Sequence, residues 1–165
     1  MILAERALIH SSPVVAMEIL NHLENFEISC KAAGLKITHQ RLEIFKEVLL
    51  ASDHPTAETL HQRLRRKLPM ISLDTVYRTL TTLSAHHLIN KVETTENLSR
   101  YEVVTTPHHH LICDTCTSIT DFTWPLLDRV PLPEEVQSWG RITTTTVVAH
   151  GTCAACRQQC PCIPH

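Results

Sequence analysis

Pro107-His108-His109-His110-Leu111-Ile112-Cys113-Asp114-Thr115-Cys116, continuing Thr117-Ser118-Ile119-Thr120-Asp121, places three consecutive histidines, a Cys-x-x-Cys pair and a carboxylate on one short stretch. A second Cys-x-x-Cys follows at Cys153 and Cys156. Thiolates and neutral imidazoles together are ligands for borderline transition metals. In a strand, His108 and His110 share one face while His109 points away, with Cys113 just past the strand. One segment can therefore feed two sites, imidazoles to one metal and thiolates to another.

The two Cys pairs read as one structural zinc site. Cys113 and Cys116 bite from a tight turn, and Cys153 and Cys156 close the tetrahedron, which leaves no open position for catalysis. The long spacing between the pairs requires the second to come from a distant strand end. A thioredoxin-like redox pair or disulfides are the alternatives, but the βαβ setting of the redox motif is missing. Of the remaining cysteines, Cys30 is expected in a helix core, and Cys160-Pro161-Cys162 falls in a tail spanning 158–165.

The chain has 165 residues, 43% of them hydrophobic, enough for one domain or two small ones. No apolar run approaches the roughly 20 residues of a membrane span, so no membrane partner is expected. Seven cysteines without an export signal predict a reducing cytoplasm. The net charge of −2 is unevenly spread: residues 28–91 hold ten Lys or Arg against five Asp or Glu, while residues 92–165 hold four against eight. A basic segment followed by an acidic, ligand-rich one suggests a nucleic-acid-binding module joined to a metal-binding module.

Residues 1–27 read as an extension, broken at Ser11-Ser12-Pro13, with a possible helix from Met17 to Phe26. A helix from Phe26 to Ala33 stops at Gly34. Thr38 caps the next helix, Asp53-His54-Pro55 breaks it, and Thr56 caps a third that ends on Arg63, Arg65, Arg66 and Lys67. Ser72 caps a fourth. There Leu73, Val76, Leu80 and Leu83 face a core, leaving Thr75, Tyr77, Arg78, Thr79 and Thr82 on other faces, as a helix entering a DNA major groove requires. His86-His87 ends it. Strands at Leu88–Glu93 and Arg100–Val104 then flank a polar turn. Three helices followed by a hairpin is the order of a winged helix, assigned to residues 28–104. Residues 105–157 read as a small α/β unit, with strands at 119–122 and 141–149 and a broken helical pattern at 125–137. It is small for its own core, so a zinc staple and a dimer partner would both help it.

These stretches resemble the Fur family of metal-dependent transcription repressors. The resemblance rests on Leu35-Lys36-Ile37-Thr38-His39-Gln40-Arg41, His54-Pro55-Thr56-Ala57-Glu58, Ser72 to Leu80, His108 to Cys116 and Gly151-Thr152-Cys153, in the family's order. It implies an α+β fold: an N-terminal winged-helix DNA-binding domain and a C-terminal α/β dimerisation domain. It implies a homodimer on palindromic operator DNA, with Lys36, Arg41, Ser72, Thr75, Tyr77 and Arg78 at the DNA. It also implies a regulatory Fe(II) or Mn(II) site at the hinge, formed by His54, Glu102, His108, His110 and Asp121. Asp121 resembles the peroxide-sensing branch, in which iron-driven chemistry would oxidise His54 or His108; Glu102 and Arg78-Thr79 look more like the iron-uptake branch. A zinc-uptake regulator is the family's further possibility. Thr117 and His87 stand where glycine is common, and Thr145 where a histidine of another metal site would be expected. The reading from a different class, a zinc-dependent hydrolase, needs an open metal position beside a general base, and no HExxH-type motif is present.

Overall fold

A computed structural model describes residues 13–93, 99–103, 106–142 and 145–159. They divide into two compact units, one holding the described residues up to 103 and the other those from 106 onward.

The first unit begins with α1 (Pro13–Ala32), α2 (His39–Leu49), α3 (Ala57–Leu64) and α4 (Leu73–Ala85). α1 is one unbroken helix where the sequence suggested an extension and two separate pieces, and it runs straight past position 28. Proline is compatible with a first helical turn, whose N–H groups have no intrahelical partner, and no glycine or proline follows until Gly34. Gly34, at φ +66, closes the helix as Leu35 N–H reaches back to the Cys30 carbonyl. Thr38, Thr56 and Ser72 each accept a backbone N–H three residues on, capping α2, α3 and α4. His87, at φ +55, ends α4 with Leu88 N–H bonded to the Leu83 carbonyl, so a histidine fills a glycine's place.

The apolar stripes of these helices share one core. Phe26 stacks on Phe45 with ring centroids 4.1 Å apart, and Cys30, Ile44, Val48, Leu60, Leu64, Val76, Leu80 and Leu83 are buried around them. Thr79 is buried too, which removes it from the exposed face of α4 where the sequence placed it. The hairpin of β1 (Asn90–Glu93) and β2 (Ser99–Glu102) follows, antiparallel with Val92 opposite Arg100. Leu88 and Ile89 precede the first strand instead of opening it, because the end of α4 occupies that backbone.

The second unit is a three-stranded sheet in the order β4-β3-β5, from β3 (His109–Cys113), β4 (Ile119–Phe122) and β5 (Val148–Gly151). β3 pairs antiparallel with β4 and parallel with β5. Leu127–Arg129 forms a 3-10 turn, and α5 (Glu134–Gln137) is a single turn, which is what Pro131 and Pro133 leave of the broken helical pattern. Of the β-branched run at 141–149, the described residues form a strand from Val148, and that strand includes Gly151. α6 (Ala154–Gln159), unforeseen in the sequence, carries Cys156 and runs beyond the expected boundary at 157. His10, the turn at 94–98, Cys160 and Cys162 lie outside the described residues.

The chain thus has an α+β architecture: a helical winged-helix-like unit with a small hairpin, then an α/β unit.

Candidate metal centre

Cys113 is the last residue of β3, not a residue beyond it, and Cys116 closes the turn that follows. Cys153 and Cys156 sit at the start of α6. The long connection between the pairs closes because β5 returns parallel beside β3, with Gly151 opposite Cys113. All four sulfurs lie within 4.8 Å of one another, and none is in a disulfide. Cys116 Sγ and Cys153 Sγ are 3.8 Å apart. Four sulfurs at a Zn–S distance of about 2.3 Å stand about 3.8 Å apart in a tetrahedron, so the donors fit a structural zinc ion.

The electrostatics of the thiols point the same way. The backbone N–H of Cys153, 3.3 Å from Cys113 Sγ, leads the N–H donors that bring the Cys113 thiol down to about 6. Ser118 lowers that of Cys116, with its hydroxyl 3.2 Å from the sulfur. Cys156 is pushed up to about 12 by its hydrogen bonds to Cys153 and Cys116. Four thiolates repel one another, and a divalent cation is what releases the last protons. Thr117, at φ +57, turns the chain back so that its N–H reaches the Cys113 carbonyl at 2.8 Å. A β-branched residue is strained there.

The imidazole and carboxylate donors fall in both units. In the first unit, His54 Nε2 stands 3.0 Å from Glu102 Oε2, both side chains buried. His54 precedes Pro55 and has φ +47, a costly backbone for a residue of this kind. Its neighbours hold it there. Arg100 Nη1 donates to the His54 carbonyl at 3.2 Å, and Tyr101 N–H to the Pro55 carbonyl at 3.1 Å. Arg63 grips Asp53 through two hydrogen bonds, 3.1 and 2.5 Å, which holds the Asp53 carboxyl below its usual range. Neither Arg63 nor Arg100 is marked as a support by the sequence: the bridge between Thr56 and Arg100 reveals the latter, and the bonds to Asp53 the former.

In the second unit, His108 Nε2 and His110 Nε2 converge to 3.1 Å. Asp121 Oδ1 lies 3.8 Å from the first and 3.6 Å from the second, because β4 pairs Asp121 with His110. His108 Nδ1 is 2.8 Å from the Thr106 carbonyl, which can only accept. The proton is therefore on Nδ1, and the Nε2 lone pair is left for a metal. Two imidazoles and a carboxylate meeting at one point suit a divalent ion. His109 takes the opposite face, buried against Phe122. Its Nδ1 accepts the Val147 N–H at 3.2 Å, while Nε2 lies 3.2 Å from Asp128. It ties the sheet to its connections.

The residues expected at DNA belong to the first unit. Ser72 Oγ accepts the Thr75 N–H at 3.1 Å, so its hydroxyl caps α4. Tyr77, 40% exposed, donates its hydroxyl to Glu58. Arg78 has an 82% exposed side chain, 3.9 Å from Asp74. Lys36 is exposed, whereas the Arg41 guanidinium is half-buried and donates to the Lys36 carbonyl. Thr82 hydrogen-bonds the Arg78 carbonyl at 2.8 Å, within its own helix.

Among the described residues, no helix is long and apolar enough to cross a membrane. Residues 32–147 match the ferric uptake regulator family. The peroxide-responsive repressor PerR of Staphylococcus epidermidis is 32% identical over 145 residues, 87% of this chain and 96% of that protein. The ferric uptake regulator of Helicobacter pylori, whose structure reveals three functional metal binding sites, superposes with a TM-score of 0.70 at 26% identity. That match covers 84% of this chain and 93% of the other. The Vibrio cholerae regulator superposes at 0.60 with 27% identity, over 75% and 96% of the two chains. With the helical unit, the hairpin, the four-thiolate cluster and the paired histidines in place, this chain belongs to the ferric uptake regulator family: it is a metal-dependent transcriptional repressor, not an enzyme.

Proposed function

We propose that this repressor senses peroxide, with Fe(II) or Mn(II) as corepressor and zinc as the structural ion. The observation that carries the reading is Asp121 beside His108 and His110, since the carboxylate at that position distinguishes the branches of the family. The 32% identity to a peroxide-responsive repressor adds to it. His54 and Glu102 complete the proposed ligand set, and binding or loss of the ion at these residues is the switch. Two copies of the chain associate through the second unit, which leaves Trp139 81%, Leu126 74% and Val130 61% exposed, and present two α4 helices to a palindromic operator. Lys36, Arg41, Thr75, Tyr77 and Arg78 meet the DNA, with Ser72 at the helix start. When bound by these residues, Fe(II) would supply the reduction of peroxide, and His54 or His108 would take up one oxygen atom while the other leaves as water. An oxidised imidazole is a poorer ligand, so the ion would be lost and DNA released.

Operator binding by the Fe(II) and Mn(II) forms, before and after peroxide, tests this. Loss of binding in the iron form alone is expected; equal resistance of both forms would reject peroxide sensing. Glu102, which in the peroxide-sensing branch is typically Asp, favours a second reading, an iron-uptake regulator. That reading predicts binding set by iron concentration and indifferent to peroxide.

A further inference from the structure

Glu58 is an exposed acid in the first turn of α3, and it accepts the hydroxyl of Tyr77 on α4. The placement is unusual for a surface that is to meet phosphates, because a carboxylate there opposes the counterion release that drives binding. We propose that Glu58 is a positioning residue for sequence reading: it holds the Tyr77 ring at one orientation on α4, relative to the loop that carries His54. This rests on the reading of α4 as the DNA-contacting helix.

Three observations support it. The side chain is anchored at its base, because Glu58 follows the Thr56 cap by two residues and α3 is fixed to α4 through buried Leu60, Leu64, Val76 and Leu80. The donor sits among the exposed residues of α4, next to Arg78, whose side chain is free to extend. The bond is that of a charged acceptor: the Tyr77 hydroxyl is the main cause holding the Glu58 carboxyl below its usual range, and the carboxylate in turn pushes the Tyr77 phenol up. A charge-assisted bond of this kind can restrict a ring that is otherwise only half covered. The chain from His54 through Pro55, Thr56 and Glu58 to Tyr77 lies wholly within the first unit. It gives the metal-ligand loop a direct mechanical connection to the reading helix.

An acid in the first turn of a helix can also serve only the helix dipole, and the experiment separates the two roles. An operator duplex is selected from a random library by the Mn(II)-loaded wild-type protein. The readout is its affinity relative to that of an unrelated duplex, with zinc content and thermal unfolding as fold controls. Glu58→Ala and Tyr77→Phe should each lower that ratio about five-fold, the low end of a specific base contact. The double variant should be no worse than either, and Glu58→Gln, which keeps an acceptor without the charge, should fall between wild type and Glu58→Ala. A dipole or bulk-charge role instead makes Glu58→Gln equal to Glu58→Ala and leaves the ratio unmoved in both. That result, or additive losses in the double variant, overturns the proposal while Arg78→Ala still lowers the ratio. If Arg78→Ala and Tyr77→Ala both leave it unchanged, the reading of α4 fails and the proposal with it.

Discussion

The two units are held together by different physics. In the first, buried Phe, Ile, Val and Leu side chains from four helices and the hairpin form one core. Among the described residues of the second, Ile112, Cys113 and Ile119 are the buried hydrophobic ones, while Trp124, Leu126, Val130 and Trp139 remain exposed. Ordering a residue costs about 1–2 kcal/mol of backbone entropy, which burial must offset. The first unit offsets it with its own side chains. The second draws on a cross-link, because the thiol pairs join the end of β3 to the start of α6. We infer that the helical unit stands on its own packing, whereas the sheet unit leans on its thiolate cluster.

The contrast is broken most directly by removing the zinc. A structural zinc site contributes on the order of 10 kcal/mol to the folding of a small zinc domain. Cys116→Ser is expected to expose the second unit to proteolysis while the first keeps its cooperative melting transition. A protease-resistant second unit without zinc would show that its own packing suffices. The converse substitution acts on the other side. Phe26→Ala deletes half of the Phe26–Phe45 stack and should cost about 3–5 kcal/mol in the first unit with zinc content unchanged. A negligible loss would place α1 outside the core.

Backbone strain gives a smaller and opposite effect. Thr117 holds φ +57 in the zinc turn, and Thr117→Gly should stabilise the second unit by about 1–2 kcal/mol. Slower zinc release to a chelator is the readout, and faster release would mean that the threonine side chain is needed there. Smallest is Asp53→Asn. Arg63 depresses the Asp53 carboxyl, so the pair's contribution is fully present above the unfolded carboxylate range and is lost as pH falls through the lower folded value. Both groups are partly exposed, which limits the loss at neutral pH to about 1 kcal/mol or less. Denaturant midpoints of wild type and variant should converge on acidification; a gap that persists in acid would assign the effect to something other than this charge.

Much of this was legible in the sequence because it is local. Thr38, Thr56 and Ser72 announce their helices, His86-His87 ends one, and two matched Cys-x-x-Cys pairs announce a closed thiolate cluster. The alternation that put His108 and His110 on one face is a property of any strand, and the structure pairs them at 3.1 Å. What was hidden depends on distant partners. The helix that Pro13 opens is permitted by local propensity, but which of its faces is covered shows only in the burial of Phe26 and Cys30. Thr79 looks like a polar surface residue until its helix is packed. The left-handed backbone of His54 is held by Arg100 and Tyr101, some 46 residues away in sequence. The β-branched run at 141–149 has strand propensity throughout, and among its described residues the register with β3 begins at Val148.

We propose that a regulatory ion bound by the imidazole and carboxylate donors makes this protein a peroxide sensor. Peptide mass mapping of the Fe(II) form after brief peroxide exposure, with the Mn(II) form as control, tests it most directly. The expected result is one added oxygen on His54 in the first unit or His108 in the second, in the iron form alone and in step with loss of operator binding. Unmodified histidines with DNA binding intact would contradict it.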